Sequence, residues 1–375
     1  MPVDFAREVV CLLGLPFDVI DMAGVLRHVR QAARERRPYF LSTPNLNWIV
    51  ACLTDEEFRR SVMQSDLSIA DGMPLVWMAR LLGIPLRERI AGSTVFEALR
   101  SDASEPISVF FFGGQDGVAE IACQRLNAES SGLNCVGWHF PGFGSVEEMS
   151  SDETIATING SGADFLVVSL GAKKGQAWIT RNRDRISVPV ISHLGAVVNI
   201  VARTASRAPT WMQGSGLEWL WRIKEEPILW RRYFYDGMTF LRLLITHVIP
   251  YACLIHSRKP TEQELKAAAI DLQDELGETV ITLSGAWMHE NFQPLRDTFS
   301  HSICAGKDVR LELGNVTYVD SAFIGLVMLL YSDRHRKGAR LSIGNSHENV
   351  RRIFRYACAE FLFKANQPLD VSAMP

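Results

Sequence analysis

From Val10 to His193 the chain alternates short apolar runs with longer amphipathic stretches. Strands that are apolar throughout must be covered on both faces, so the alternation predicts an α/β fold: a mostly parallel sheet with helices on each side. The spacing places strands at Val10 to Leu15, Tyr39 to Thr43, Leu67 to Ala70, Val109 to Phe112, Leu133 to Trp138, Phe165 to Leu170 and Val188 to His193. Helices are expected between them, for example Asn47 to Gln64 and Val118 to Ala128. With 375 residues, 47% hydrophobic and 22% charged, the chain has core enough for two or three domains.

A net charge of -3 excludes a protein that is basic enough overall to hold nucleic acid. The seven cysteines (11, 52, 123, 135, 253, 304 and 358) are odd in number and never spaced CxxC, as expected in a reducing cytosol, so no disulfide framework is expected. Asp4 and Glu8 stand where an export signal has basic residues, and the run Val9 to Pro16 is short, so the chain is expected to stay inside the cell.

Composition changes near residue 203. Between there and Pro260 lie nine Lys and Arg against four acids, together with Trp211, Trp219, Trp221 and Trp230. Basic residues mixed with aromatics favour an anionic membrane interface, and a basic helical hairpin packed on the domain is the alternative. Leu243 to Ser257 is uncharged for fifteen residues, shorter than the roughly 20 that a spanning helix needs, and reads as interfacial. The expected divisions are a core at 1–202, a basic Trp-rich helical appendage at 203–258, a polar, helix-prone linker at 259–275 and a small second α/β domain at 276–375. Its strands are expected at Thr279 to Ser284, Val309 to Leu313 and Leu341 to Ile343, and its helices at Phe292 to Ile303, Ala322 to Arg336 and His347 to Cys358.

The nine histidines form no HxH, HExxH or His/Cys cluster, so no metal and no cofactor is expected. G-x-S-x-G, Walker A and a strict GxGxxG are absent. Phe110 to Gly117 runs from an apolar strand into Gly113 and Gly114 and then a helix. That junction serves equally for phosphate contact and for a turn. Asp71 follows the strand Leu67 to Ala70, at the sheet edge where α/β folds bind ligands; it suits a general base or a helix cap. Thr43-Pro44-Asn45 ends another strand and suits a sugar contact or a turn, and Arg89 suits a phosphate or a surface loop.

The order of these pieces resembles the bacterial WecG/TagA/CpsF family, glycosyltransferase family 26, over about residues 10 to 245. The match runs through Leu13-Gly14-Leu15-Pro16-Phe17-Asp18, Thr43-Pro44-Asn45, Ala70-Asp71-Gly72-Met73-Pro74, Arg89-Ile90-Ala91-Gly92, the Phe112 to Gly117 turn and Leu170-Gly171-Ala172. It continues at Trp178-Ile179, Arg207-Ala208-Pro209, Trp211-Met212-Gln213, Gly216-Leu217-Glu218-Trp219-Leu220, Arg222 and Glu226-Pro227. The resemblance implies a Rossmann-like core and an inverting, metal-independent transfer of a hexose or N-acetylhexosamine from a UDP-sugar to a polyprenyl-diphosphate-linked acceptor. It places the protein on the inner face of the cytoplasmic membrane, peripheral to it, in exopolysaccharide, capsule or wall polymer synthesis. It makes Asp71 the base, sets Thr43, Asn45, Arg89, Gly113, Gly114, Gly171 and Gln176 in the substrate pocket, and brings Arg222, Arg231 and Arg232 to the diphosphate. Three departures fall near the donor pocket: the stretch from Lys173 to Ala177, the stretch from His193 to Asn199, and Thr94 where many members carry Asp.

Residues 276 to 364 resemble the domain shared by sulfate transporters and anti-sigma-factor antagonists, STAS, through Val316-Thr317-Tyr318-Val319-Asp320-Ser321 and Ile324-Gly325-Leu326. The resemblance makes Ser321 a candidate phosphosite for a partner kinase or regulatory protein, with Phe323 where antagonists carry Gly. The expected function is thus a glycosyltransferase joined to a regulatory domain. Two alternatives stand beside it: a degenerate nucleotide-sugar sensor or scaffold acting through the second domain, and a dinucleotide-dependent oxidoreductase, for which the glycine fingerprint is missing.

Overall fold

The structure, a computed structural model, describes residues 3–275, 277–302 and 306–364. Cys304, and residue 276 where the second domain was expected to begin, lie outside the described residues. Two compact units are present: Ile20–Trp77 with Leu86–Phe240, and Met1–Val19 with Met78–Pro85 and Leu241–Pro375. They cut across the divisions expected at 202, 258 and 275.

The expected first strand is a hairpin. β1 (Val9–Leu12) and β2 (Leu15–Asp18) pair antiparallel through a two-residue turn in which Leu13 has φ 47° and Gly14 φ 82°. Positive φ at both central residues matches the twist of the flanking strands and folds the apolar run back on itself.

Six strands make the parallel sheet of the larger unit: β3 (Tyr39–Ser42), β4 (Leu67–Ser68), β5 (Ile107–Gly113), β6 (Leu133–His139), β7 (Phe165–Ser169) and β8 (Val190–His193). Their order is β4-β3-β8-β7-β5-β6, parallel throughout. Alternate residues enter two cores. Val109, Phe111, Phe165 and Val167 pack on one face with Val25, Phe96 and Leu126, while Phe110, Phe112, Leu166 and Val168 pack on the other with Ile158, Trp178 and Ile179. Burial on both faces is why the strands read as unbroken apolar runs. From the adjacent β5 and β7 the chain departs in opposite directions, to β6 and to β8, which opens a crevice at their carboxyl ends.

Two sequence expectations change here. The helix expected over Asn47 to Gln64 is two, Leu46–Cys52 and Glu56–Met63, because the Asp55 carboxylate accepts the Phe58 N–H at 2.9 Å and begins a new helix. The expected absence of disulfides is corrected as well, since Cys123 and Cys135 are bonded. Helix Val118–Glu129 packs on β6, and the Asn127 amide bonds both the N–H and the C=O of Cys135, which sets the two Cα atoms 5.2 Å apart.

The second unit holds a sheet of order β12-β11-β10-β9, with β10 (Glu278–Trp287), β11 (Asp308–Val319) and β12 (Leu341–Gly344) parallel and β9 (Ala269–Glu275) antiparallel. β9 lies where a helix-prone linker was expected. It is an exposed edge strand whose acids interrupt the apolar pattern, a common way of blunting an edge. Helix Ser321–Arg336 is buried without interruption from Ala322 to Leu330, because the hairpin β1–β2 covers it as well as its own sheet. Arg296 donates to the Ala6 carbonyl at 3.1 Å, and the Phe5 and Phe299 rings meet edge-on at 5.8 Å. Residues 5–18 are therefore structurally part of the second unit.

A side chain at Gly325 would put its Cβ 2.5 Å from the Val9 carbonyl oxygen. Gly325→Ala is expected to lose about 1–3 kcal/mol of stability through forced separation of helix and hairpin. Thermal unfolding followed by circular dichroism checks this, and an unchanged midpoint would show that the hairpin yields freely.

Candidate active site

Parallel pairing puts every strand's carboxyl end on one edge, and most of the chemistry-bearing residues of the larger unit collect there. The Asp71 N–H donates to the Pro44 carbonyl (2.9 Å), and the Ile90 N–H donates to the Ala70 carbonyl (2.9 Å). Those bonds bring the Thr43-Pro44-Asn45 turn, Asp71 and the Arg89 loop side by side. Gly92 opens helix Gly92–Ser101, and its N–H reaches the Asp71 carboxylate. A Cβ at Gly92 would lie 2.5 Å from Leu194 Cδ2 and 3.1 Å from Thr43 Cγ2. Glycine is what allows Thr43 and Leu194 to pack against the start of this helix.

The Asp71 side chain is 24% exposed, reachable but mostly enclosed. Burial pushes its carboxyl above the ordinary range; Arg89 and the Gly92 N–H act against that, and Glu218 with it. Arg89 Nη2 lies 3.4 Å from Asp71 Oδ1 but 2.5 Å from Glu218 Oε2. Glu218 comes from the first turn of helix Glu218–Glu225 in the basic appendage. Asn45 spends its side-chain oxygen on the Trp48 N–H (3.3 Å), capping helix Leu46–Cys52.

Gly113 and Gly114 both have φ 92°, and the Gly114 N–H donates to the Ser169 carbonyl at 2.7 Å. The turn itself accounts for glycine at these positions. The open helix ends lie just beyond, in the crevice. Helices Val118–Glu129 and Ala172–Asn182 follow the neighbouring strands β5 and β7, and each begins at a glycine, Gly117 and Gly171, without a side-chain cap. A Cβ at either glycine would meet nothing within 4 Å. Gln176 is fully buried and its amide donates to Ser42 Oγ at 2.9 Å, which ties its helix to β3.

Arg222 is half-buried, and Arg231 and Arg232 are exposed. The last two lie on the continuous helix Pro227–Ser257, 31 residues, long and apolar enough by composition to cross a membrane, where a run of fifteen was expected. The helix is longer because it starts at Pro227 and takes in charged residues. Phe234, Met238, Leu241, Ile245 and Ile249, spaced by three and four, form one exposed apolar stripe along it. Ser321 is partly exposed at the first position of its helix, which Asp320 caps through the Phe323 N–H (2.8 Å); Phe323 itself is buried in the core.

Three contacts escaped the sequence reading. Glu218 sat inside a matched motif but read as a counter-charge in a basic segment. Asp236, 4% exposed, accepts from Asn47 Nδ2 with both oxygens (3.1 and 3.3 Å). Arg207 donates to Thr94 Oγ1 at 2.7 Å, so a neutral hydroxyl fills one of the departures.

Comparison with known proteins gives the family of each part of the chain. Residues 10–252 match the glycosyl transferase WecG/TagA/CpsF family, and residues 270–360 match a domain described as Mlab, STAS domain. N-acetylglucosaminyldiphosphoundecaprenol N-acetyl-beta-D-mannosaminyltransferases are among the relatives. That of Bacillus spizizenii is 26% identical over 52% of this chain and 74% of its own length. The Bacillus subtilis enzyme is 27% identical over 51% and 73%, and one from Staphylococcus aureus 25% identical over 59% and 85%. The chain belongs to the WecG/TagA/CpsF glycosyl transferase family and carries a STAS domain after it.

The raised carboxyl of Asp71 fixes a sign for stability. A folded-state value above the ordinary 3.8 means that ionisation costs stability as pH rises through it. Asp71→Asn is therefore expected to melt higher than the wild type at pH 7, with the gap closing as pH falls toward 4. Paired thermal melts across that range check it; a lower midpoint at pH 7 would refute it.

Proposed function

We propose that this protein is an inverting, metal-independent glycosyltransferase that moves an N-acetylhexosamine or hexose from a UDP-sugar to a polyprenyl-diphosphate-linked sugar, with Asp71 as general base. The observation that carries the reading is the Asp71 carboxylate, enclosed yet reachable, beside the Thr43-Pro44-Asn45 turn and at the start of helix Gly92–Ser101, whose first N–H it meets. Asp71 takes the proton of the acceptor hydroxyl as that oxygen attacks the anomeric carbon, and the bond from that carbon to the diphosphate breaks on the opposite face. The departing UDP gains negative charge. Arg222, Arg231 and Arg232, with the paired helix starts at Gly117 and Gly171, are the groups proposed to receive it. The relatives' names favour an N-acetylhexosamine donor, while Thr94 leaves the donor sugar a matter for assay. Asp71→Asn is expected to lower acceptor-dependent release of UDP by about 10²–10⁴-fold. Activity within a few-fold of the wild type would remove Asp71 from the role.

We place the protein on the inner face of the cytoplasmic membrane through helix Pro227–Ser257, lying in the interface. Its apolar stripe and the flanking Arg231, Arg232 and Arg242 support this reading. Phe234→Glu with Ile245→Glu is expected to abolish sedimentation with vesicles of anionic phospholipid, and binding by the wild type is expected to weaken with salt. Binding retained by the double variant would point to another surface. The STAS domain is proposed to act as the regulatory part, with Ser321 as its site of modification.

A further inference from the structure

The two carboxylates around Arg89 are not equivalent. One nitrogen, Nη2, serves both, at 2.5 Å to Glu218 and 3.4 Å to Asp71. A charge-assisted hydrogen bond is normally about 2.7–2.9 Å, so Arg89 is committed to Glu218 and only loosely engaged with Asp71. All three side chains are largely enclosed, at 15% exposure for Arg89, 22% for Glu218 and 24% for Asp71, where such a choice of partner is weakly screened by solvent. The loop that carries Arg89 is fixed against the strand end by the bond from Ile90 to Ala70, and Glu218 arrives on the appendage helix.

We propose that Glu218 is a positioning residue: by taking the short ion pair with Arg89 it holds that guanidinium off Asp71, leaving the Asp71 oxygens to the acceptor hydroxyl. The inference rests on Asp71 acting as the base. A base locked in a bidentate pair with arginine would have its lone pairs occupied and its proton affinity lowered, and both changes oppose proton removal. The groups facing the carboxyl are Arg89 from the loop, Glu218 from helix Glu218–Glu225 and the Gly92 N–H from helix Gly92–Ser101. Removing the Glu218 charge takes away a neighbouring negative charge and releases Arg89 toward Asp71, so both consequences favour the ionised form of Asp71. The appendage thereby sets the strength of a base that the core carries.

The test is the pH profile of kcat/KM for sugar transfer by the full-length protein. Glu218→Gln is expected to move the acid limb down by about one pH unit and to lower the plateau rate. Glu218→Asp keeps the charge but retracts it by one methylene; its limb is expected between the two, and it carries the test alone should the Gln variant fail to melt cooperatively. A merely structural role would lower the rate without moving the limb, and an unmoved limb in folded variants overturns the inference. Asp71→Asn separates the two failures. Full transfer by that variant removes the base assignment itself, whereas an inactive Asp71→Asn beside an unmoved Glu218→Gln limb removes only the role of Glu218.

Discussion

Parallel strand pairing is the constraint on which the site depends. Because β3, β4, β5, β7 and β8 all run the same way, their carboxyl ends open on one edge. Residues as far apart in sequence as Thr43, Asp71, Gly117 and Gly171 therefore share it. The two hydrophobic cores above and below the sheet hold that edge rigid. Trp178 and Phe112 stack at 4.2 Å between ring centroids directly behind it, and the Trp178 N–H is satisfied by the Met149 carbonyl.

On that frame the site separates two electrostatic tasks. At the β3–β4 end a carboxylate is kept basic by burial and by an arginine whose main partner is elsewhere. At the β5–β7 crevice, open helix starts offer partial positive charge and no carboxylate cap. Helices Met22–Arg34, Glu56–Met63 and Asp152–Gly160, by contrast, are each capped by an Asp or Ser side chain. Leaving a helix start uncapped forgoes about 1 kcal/mol of helix stability and keeps N–H groups for an anion.

The hairpin β1–β2 belongs structurally with the second domain. Leu13-Gly14-Leu15-Pro16-Phe17-Asp18 lies within the matched glycosyl transferase region, yet it packs on helix Ser321–Arg336. Cβ at Gly14 would lie 2.7 Å from the Cys358 carbonyl oxygen, and Gly325 meets Val9 with the same closeness. Glycines of both sequence regions are thus fitted to each other's backbone.

Much of this was legible in the sequence. The strands β3 to β8 were readable because burial on both faces leaves long apolar runs, and Asp71 and Thr43 were readable because they directly follow such runs. The hairpin was not, since an apolar run through Leu13 and Gly14 looks like one strand until a turn with positive φ is seen. Nor was β9, whose edge position permits acids that hide the strand pattern. The Cys123–Cys135 bond needed a helix and the following strand to be packed before the two sulfurs met. What the sequence determined by itself is the class of fold and the family, because these follow from local pattern and motif. Which carboxylate holds Arg89, which glycines stay open and why Gln176 is enclosed were decided by tertiary structure alone, since each depends on groups that the chain brings together from distances that no local pattern records.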